Sequence, residues 1–431
     1  MWQELLKTKN IVWLILALVL CFATLNRHSR SKIYTYSSTL MSDKAGYYVY
    51  LPAFFLYNFE ANKFPEKIDS LTGNGFSLLL KSNKVQTKYP VGTALLQTPF
   101  FVAAHLYVLI TKEEANGFSK PYQNAIDLSA VFYFLLGLYF LRRFLSNYFP
   151  SKTILWALFF TVFGSNLYYY SVFEGAYSHV YSFFLFSLFL FLLHGFSKEQ
   201  KSWQWIGLFA VSALILLVRQ LNIVFIFTSL FLIEKPLALL NNRSLKDYFY
   251  AISAALLLLI PQIAYNIYLT KSIFFYSYQN EGFIYWNNPK LIEVLLGFEN
   301  GLLSTNPILF LSILGFIALY KKQKSLGIIS ILAFVICSYL YASWWCYHLG
   351  CAYGHRGFID IFPLLIISMC ASVFWIQQKN NKALSMVFYT VCSLGVLLNI
   401  KYIYTYDSCW PKTLAQSDFE IYWHFVTSQI K

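Results

Sequence analysis

The residue in this chain best placed to do chemistry is Asp43, in the string SDKAGYYVYLPAFF at 42–55. A carboxylate beside a membrane surface suits a general base, which takes the proton from an acceptor hydroxyl as that hydroxyl attacks a carbon centre. Gly46 permits a close backbone approach, and Tyr47 and Tyr48 supply amphipathic walls. The plainer reading of such an aspartate is an exposed loop residue or a helix N-cap. The motif that follows it weighs against that reading.

Four other strings carry polar groups near the ends of apolar stretches. In KYPVGTALLQTPFF (88–101), which includes Tyr89, the Pro and Gly placement suits a bent helix that roofs a cavity. FEGAYSHVYSFF (173–184) puts Glu174 in a tight connection, with His179 one turn into the next helix. An acid there is costly unless it is used or paired, so a second catalytic carboxylate competes with a salt bridge or an interfacial, solvated Glu. In VRQLN (218–222), Arg219 interrupts an over-long apolar run, either as a phosphate clamp or as a side chain that snorkels to the interface.

The densest polar cluster is WWCYHLGCAYGHRGFIDIFPLL (344–365), with His348, His355, Arg356 and Asp360. A fixed guanidinium beside the membrane would hold a lipid phosphate and stabilise the charge that grows on it, and Arg356 is the best candidate. Asp360, four residues on, can reach Arg356 along a helix and orient it, or form a purely structural ion pair. Cys346, His348, Cys351 and His355 resemble a zinc set but fit no standard zinc spacing, and of the two alternatives a Cys346 to Cys351 disulfide is favoured over a metal.

These residues need a scaffold, and composition says which. Of 431 residues 58% are hydrophobic and only 12% charged, more apolar surface than a soluble fold of this length could hide. Apolar stretches of spanning length recur at 11–25, 124–141, 153–170, 177–194, 203–218, 221–233, 248–269, 303–320, 326–343, 358–376 and 384–404. The expectation is an all-α polytopic membrane protein of about eleven spans, a single domain over 1–431 with no separate soluble part. Span 11–25 reads as an uncleaved anchor, because bulky Leu20 precedes Cys21 where a lipoprotein signal needs a small residue.

Charge sets the orientation, since Lys and Arg near spans stay in the cytoplasm. Lys7 and Lys9 place the N-terminus inside, joined there by Arg142, Arg143 and Lys152, by Lys198 and Lys201, by Lys235, Arg243 and Lys246, by Lys321, Lys322 and Lys324, and by Lys379 and Lys382. The outward side then owns a long first loop (27–123) and a second large loop (270–301). Within the first loop, 89–110 is nearly long and apolar enough to span, but Pro90, Gly92, Pro99 and His105 favour a helix lying against the outer face. The net charge of +14 is spread over both faces as a topology signal, so nucleic acid is not an expected partner. The seven cysteines are scattered, several within spans, and imply no disulfide framework.

The cytoplasmic connections are short, and no phosphate-cradling Gly-rich motif occurs in the chain. An active site therefore faces outward. Activated nucleotides are lacking there, so a transfer reaction would draw its donor through the membrane on a polyprenyl phosphate.

In this respect the chain resembles the GT-C superfamily of polytopic glycosyltransferases, which includes protein O-mannosyltransferases and the aminoarabinose transferases of lipid A. That family has an N-in first span and a large outward loop with an essential acid near its start, the position of Asp43 in SDKAGYY. YPVGTALLQTPFF matches the proline-rich helix later in that loop, Glu174 a second acid after the third span, Arg219 an Arg in a later outward turn, and Gly354-His355-Arg356 a G-x-R segment. Many members have two adjacent acids in the first motif, whereas here Lys44 follows Asp43, and the C-terminal soluble domain of some relatives is missing.

The resemblance implies a GT-C-like fold with interfacial helices in the first loop, in a bacterial-type cytoplasmic (inner) membrane. It implies an inverting transfer of a sugar from a polyprenyl-phosphate donor to a hydroxyl on a secreted protein, a lipid or a glycan, in an extracytoplasmic cavity. Asp43 and Glu174 would be catalytic; Arg356, Arg219, His355 and Lys44 would bind the donor phosphate; Tyr47, Tyr48, His179, Tyr89 and Asp360 would line the cavity. Members with polyprenyl donors often need no metal, so none is expected as essential, although a divalent ion is compatible with the site. The rivals are a lipid or solute transporter or flippase, whose kind shows internal repeats and broken helices at mid-membrane, and a ligase or polymerase of lipid-linked glycans.

Overall fold

The computed structural model describes residues 8–26, 39–233, 243–279, 281–406 and 418–427. Lys7, Lys235 and residues 27–38 of the first loop lie outside the described residues. The chain is mostly helical, as its apolar stretches require: with no water in a bilayer core, backbone groups must bond within the segment. Seven described helices are long and apolar enough to cross a membrane: Gly92–Thr111, Lys120–Leu145, Ser178–Glu199, Leu245–Thr270, Lys324–Ser343, Arg356–Gln378 and Lys382–Thr405. Shorter apolar helices occupy Trp13–Leu25, Ser151–Phe163, Ser202–Val218 and Gln220–Leu232. The eleven expected spans are therefore not eleven full-length helices.

Two differences from the sequence reading have clear physical causes. The stretch 153–170 is broken at Gly164 and Ser165 into Ser151–Phe163 and Asn166–Val172, and 303–320 is broken at Asn306 and Pro307 into Leu302–Thr305 and Leu309–Lys322. Pro307 lacks the N–H a continuous helix needs. Side chains satisfy the backbone groups that the breaks release: Asn399 Nδ2 donates to the carbonyls of Phe163 and Ser165, and the Asn166 N–H donates to Asn306 Oδ1 at 2.6 Å. Conversely, 89–110 contains one unbroken helix, Gly92–Thr111, which carries Pro99 inside and meets the length and composition of a span.

The chain divides into two compact units, the first Met1–Leu136, Tyr170–Tyr181 and Pro261–Ser277, the second Gly137–Tyr169, Ser182–Ile260 and Tyr278–Lys431. In the first unit, Asp43–Tyr48 and Tyr50–Phe55 pack on Gly92–Thr111 through an aromatic core in which Tyr48 meets Phe101 and Phe118. A small antiparallel hairpin, Ser77–Leu79 with Lys84–Gln86, is the described exception to the helical pattern. The Thr87 and Val85 N–H groups beside it donate to the hydroxyls of Tyr265 and Tyr268.

In the second unit the segment Arg356–Gln378 is the most deeply buried of the long helices. It lies close against Leu309–Lys322 because Gly315 has no side chain: a Cβ there would sit 2.2 Å from the Ser368 carbonyl oxygen. Small residues that let helix backbones approach are the usual means of packing within a bilayer.

Candidate functional sites

Asp43 opens the helix Asp43–Tyr48, and its Oδ1 accepts a hydrogen bond from the Tyr89 hydroxyl at 2.5 Å. Two of the strings singled out in the sequence thus meet at one bond. The contact is possible because Gly46 lies flat under the Tyr89 ring, where a Cβ would come within 2.4 Å of both that ring and the Gly75 carbonyl oxygen. Thr87 fastens the same place by donating from its hydroxyl to the Gly46 carbonyl at 2.8 Å, and Tyr50 donates to the Tyr89 carbonyl at 2.6 Å. Tyr47 stacks on Tyr89 with ring centroids 4.2 Å apart and accepts from Ser178.

Lys44, expected to bind the donor phosphate, forms an ion pair in this structure. Its ammonium pairs with Glu174, the acid of the tight turn that precedes Ser178–Glu199, and lies 5.5 Å from the centre of the Tyr177 ring. The pairing answers the cost of placing each charge there and gives Glu174 the salt bridge that was one of its plainer readings. His179 is buried against the rings of Tyr170 and Tyr177. Tyr48, expected to line a cavity, is a fully buried core residue whose hydroxyl donates to the Gly117 carbonyl.

One acid in this unit escaped the sequence reading. Asp127 is 3% exposed in Lys120–Leu145 and accepts from the Thr39 hydroxyl at 3.1 Å, while Gln123 accepts from the Thr39 N–H at 3.2 Å. Together they dock the segment that leads into Asp43. The Glu174 turn packs on the same helix, where a Cβ on Gly175 would meet the Ala130 Cβ at 2.5 Å. A lone Asp inside an otherwise apolar stretch was the signal that could have found it.

The second unit holds the cations. Arg219 sits at the turn between Ser202–Val218 and Gln220–Asn222, as its interruption of the apolar run foretold, and its Nε lies 3.4 Å from Asp360 Oδ2. Asp360 was expected to orient Arg356 along an α-helix. Arg356–Ile361 is a 3-10 helix, in which residues three apart align rather than four, and an ion pair links Asp360 to Arg219. Arg356 is half-buried at the head of that segment. His355 is almost wholly buried against Tyr341 and Phe358, and its Nε2 lies 2.9 Å from the Tyr347 carbonyl oxygen, so it braces the 344–355 loop.

Gly354 is needed in that loop for two reasons. Its φ is +64°, and a Cβ would press on Thr305, Asn306 and Asn166 at 2.7, 2.8 and 3.0 Å. The loop is therefore seated on the same pair of helix breaks that Asn166 and Asn306 bridge. Cys351 is disulfide-bonded and Cys346 is not, so the Cys346 to Cys351 bridge does not form, and Cys351 is not available to a metal. Among the described residues no three His, Cys, Asp or Glu side chains converge as a metal site.

No family model matches this chain, and no curated protein matches it closely enough to stand as a relative.

Proposed function

We propose that the protein is a membrane glycosyltransferase of the GT-C type, which moves a sugar from a polyprenyl-phosphate donor to an acceptor hydroxyl at the extracytoplasmic face. The observation that carries the reading is the Asp43 carboxylate, held at a helix start by a hydrogen bond from the Tyr89 hydroxyl. Fixing a base in place is what positional catalysis asks of a scaffold.

In the proposed step the acceptor O–H proton passes to Asp43 and the acceptor oxygen bonds to the anomeric carbon. The bond from that carbon to the phosphate oxygen breaks, and its electron pair leaves with the polyprenyl phosphate. Arg219 and Arg356 are assigned to that phosphate, because charge grows on it as the bond breaks. Glu174 serves in this reading as the counter-charge of Lys44, and its own catalytic role becomes the weaker assignment.

The disulfide at Cys351 supports the outward assignment of the 344–355 loop, since disulfides persist in oxidising compartments and are rare in the cytosol. The N-terminus is assigned to the cytoplasm from the distribution of Lys and Arg along the chain, and the membrane is taken as a bacterial-type inner membrane.

A lipid or solute transporter is the second reading, favoured by one observation: the two broken helices joined through Asn166 and Asn306. A mass-spectrometric comparison of glycolipids and exported proteins from cells with and without the gene separates the two. A sugar lost from either pool, and restored by the wild type but not by Asp43→Asn, supports transfer. Unchanged pools, or full restoration by Asp43→Asn, would sink it.

A further inference from the structure

The second outward loop and the C-terminal helix present one apolar face that the transfer reaction does not use. In Leu291–Leu296 the side chains alternate in fate: Val294 is buried at 1%, whereas Ile292 and Leu296, one turn apart, are 73% and 55% exposed. Asp418–Thr427 repeats the arrangement, with Phe419 and Trp423, again one turn apart, 52% and 56% exposed. Its Tyr422 turns the other way and donates to the Ser304 carbonyl at 2.8 Å. Phe298, just after the first helix, joins the two by packing on Phe419 with ring centroids 5.2 Å apart.

What covers this face follows from where it is attached. The loop is hung on the last turn of Lys324–Ser343: the Tyr285 N–H donates to Ser343, the Lys290 N–H to Ala342, and the Tyr339 hydroxyl to the Trp286 carbonyl. The C-terminal helix is tied to the last turns of Lys382–Thr405, where the Lys401 ammonium donates to the Val426 carbonyl. Both supports are helices long and apolar enough to cross a membrane, and each carries an exposed apolar flank, with Val335 on one and Leu394 and Leu397 on the other. The face is thus continuous with surface that lipid tails must cover, at the level where a spanning helix ends. Trp286 and Trp423, each about half exposed, are the residue type enriched at that level.

We propose that these two short helices lie in the outer interface of the bilayer, with Ile292, Leu296, Phe419 and Trp423 sunk into the boundary between headgroups and acyl chains. The flanking charge is mainly acidic, with Glu293, Glu299, Asp418 and Glu420 against Lys290. Attraction to anionic lipid is therefore not the driving force, and burial of apolar area is. The proposal is independent of the reaction assigned above, since it concerns the lipid and not the sugar.

The test uses the full-length protein in nanodiscs of zwitterionic phosphatidylcholine. A fluorescent non-natural amino acid is placed singly at Ile292, Val294, Phe419 or Trp423, with Lys81 in the exposed hairpin turn as a water-facing control. Probes at Ile292, Phe419 and Trp423 should lose emission to lipids brominated near the glycerol end of their chains, and resist iodide added in the water. The Lys81 probe should behave in the opposite way, and the buried Val294 probe should resist both quenchers. Added salt or anionic lipid should leave the pattern unchanged. Quenching by iodide and not by brominated lipid would overturn the proposal. So would protection from both quenchers accompanied by cross-links between copies, which would mark the face as a contact between two molecules of this chain.

Discussion

In the first unit the cation is the deeper member of the charged pair: the Lys44 side chain keeps 9% of its exposure and Glu174 keeps 22%. In the second unit the order is reversed, with Asp360 at 1% and Arg219 at 20%. Each pair anchors one charge in the protein and leaves the other nearer the solvent. The first unit consequently offers carboxylates, Glu174 and the tyrosine-bound Asp43, and the second offers a guanidinium. A base and an anion-binding group do different work, and in the proposed reaction each unit would supply one.

The contrast is most readily broken at its chemical end. Asp43→Asn keeps the shape of the side chain and removes its basicity, so transfer should fall by about a thousandfold while donor-lipid binding persists. Near-normal turnover would leave the first unit without its assigned job.

The next largest effect is one of stability. Arg219→Met removes an ion-pair partner from the buried Asp360, at a cost of about 3 kcal/mol in a denaturation assay on the purified protein. Arg219→Met combined with Asp360→Leu should recover much of that loss, because an apolar pair replaces the ion pair at little cost. If the single variant is as stable as wild type, the buried carboxylate is held by other groups and the contrast in depth loses its meaning.

Lys44→Met should be milder, about 1 kcal/mol, because the partner it leaves behind is Glu174, which is less deeply buried than Asp360. A loss equal to that of Arg219→Met would show that the two pairs are alike after all. The smallest change is expected from Tyr89→Phe, which deletes one hydrogen bond to Asp43 and leaves the ring over Gly46. Turnover should drop by roughly fivefold to tenfold, the equivalent of a single net hydrogen bond, and unchanged turnover would reduce Tyr89 to a packing residue.

Much of this architecture was legible in the residues because it is local. Gly46 announced a close approach, Arg219 announced a turn, and the Pro and Gly of 88–101 announced the helix that seats Tyr89 beside Asp43. Pairings across the sequence were not legible: Lys44 meets Glu174 and Arg219 meets Asp360 only after folding, and periodicity carries no record of which charge finds which. The helix breaks at Gly164 and Pro307 were hidden for a related reason. Hydropathy averages over a window, so a break bridged by amides such as Asn166, Asn306 and Asn399 looks like a continuous span.

The disulfide-bonded Cys351, only five residues from Cys346, bears on how the molecule is made as well as where it resides. If the 344–355 loop faces outward, as proposed, its bond forms after translocation and is a record of biosynthetic history. Chains produced in a cell-free system without an oxidant would carry one more reactive thiol pair than chains matured in a cell. A thiol-reactive mass tag applied under denaturing conditions would then sort molecules that completed their passage from those that stalled.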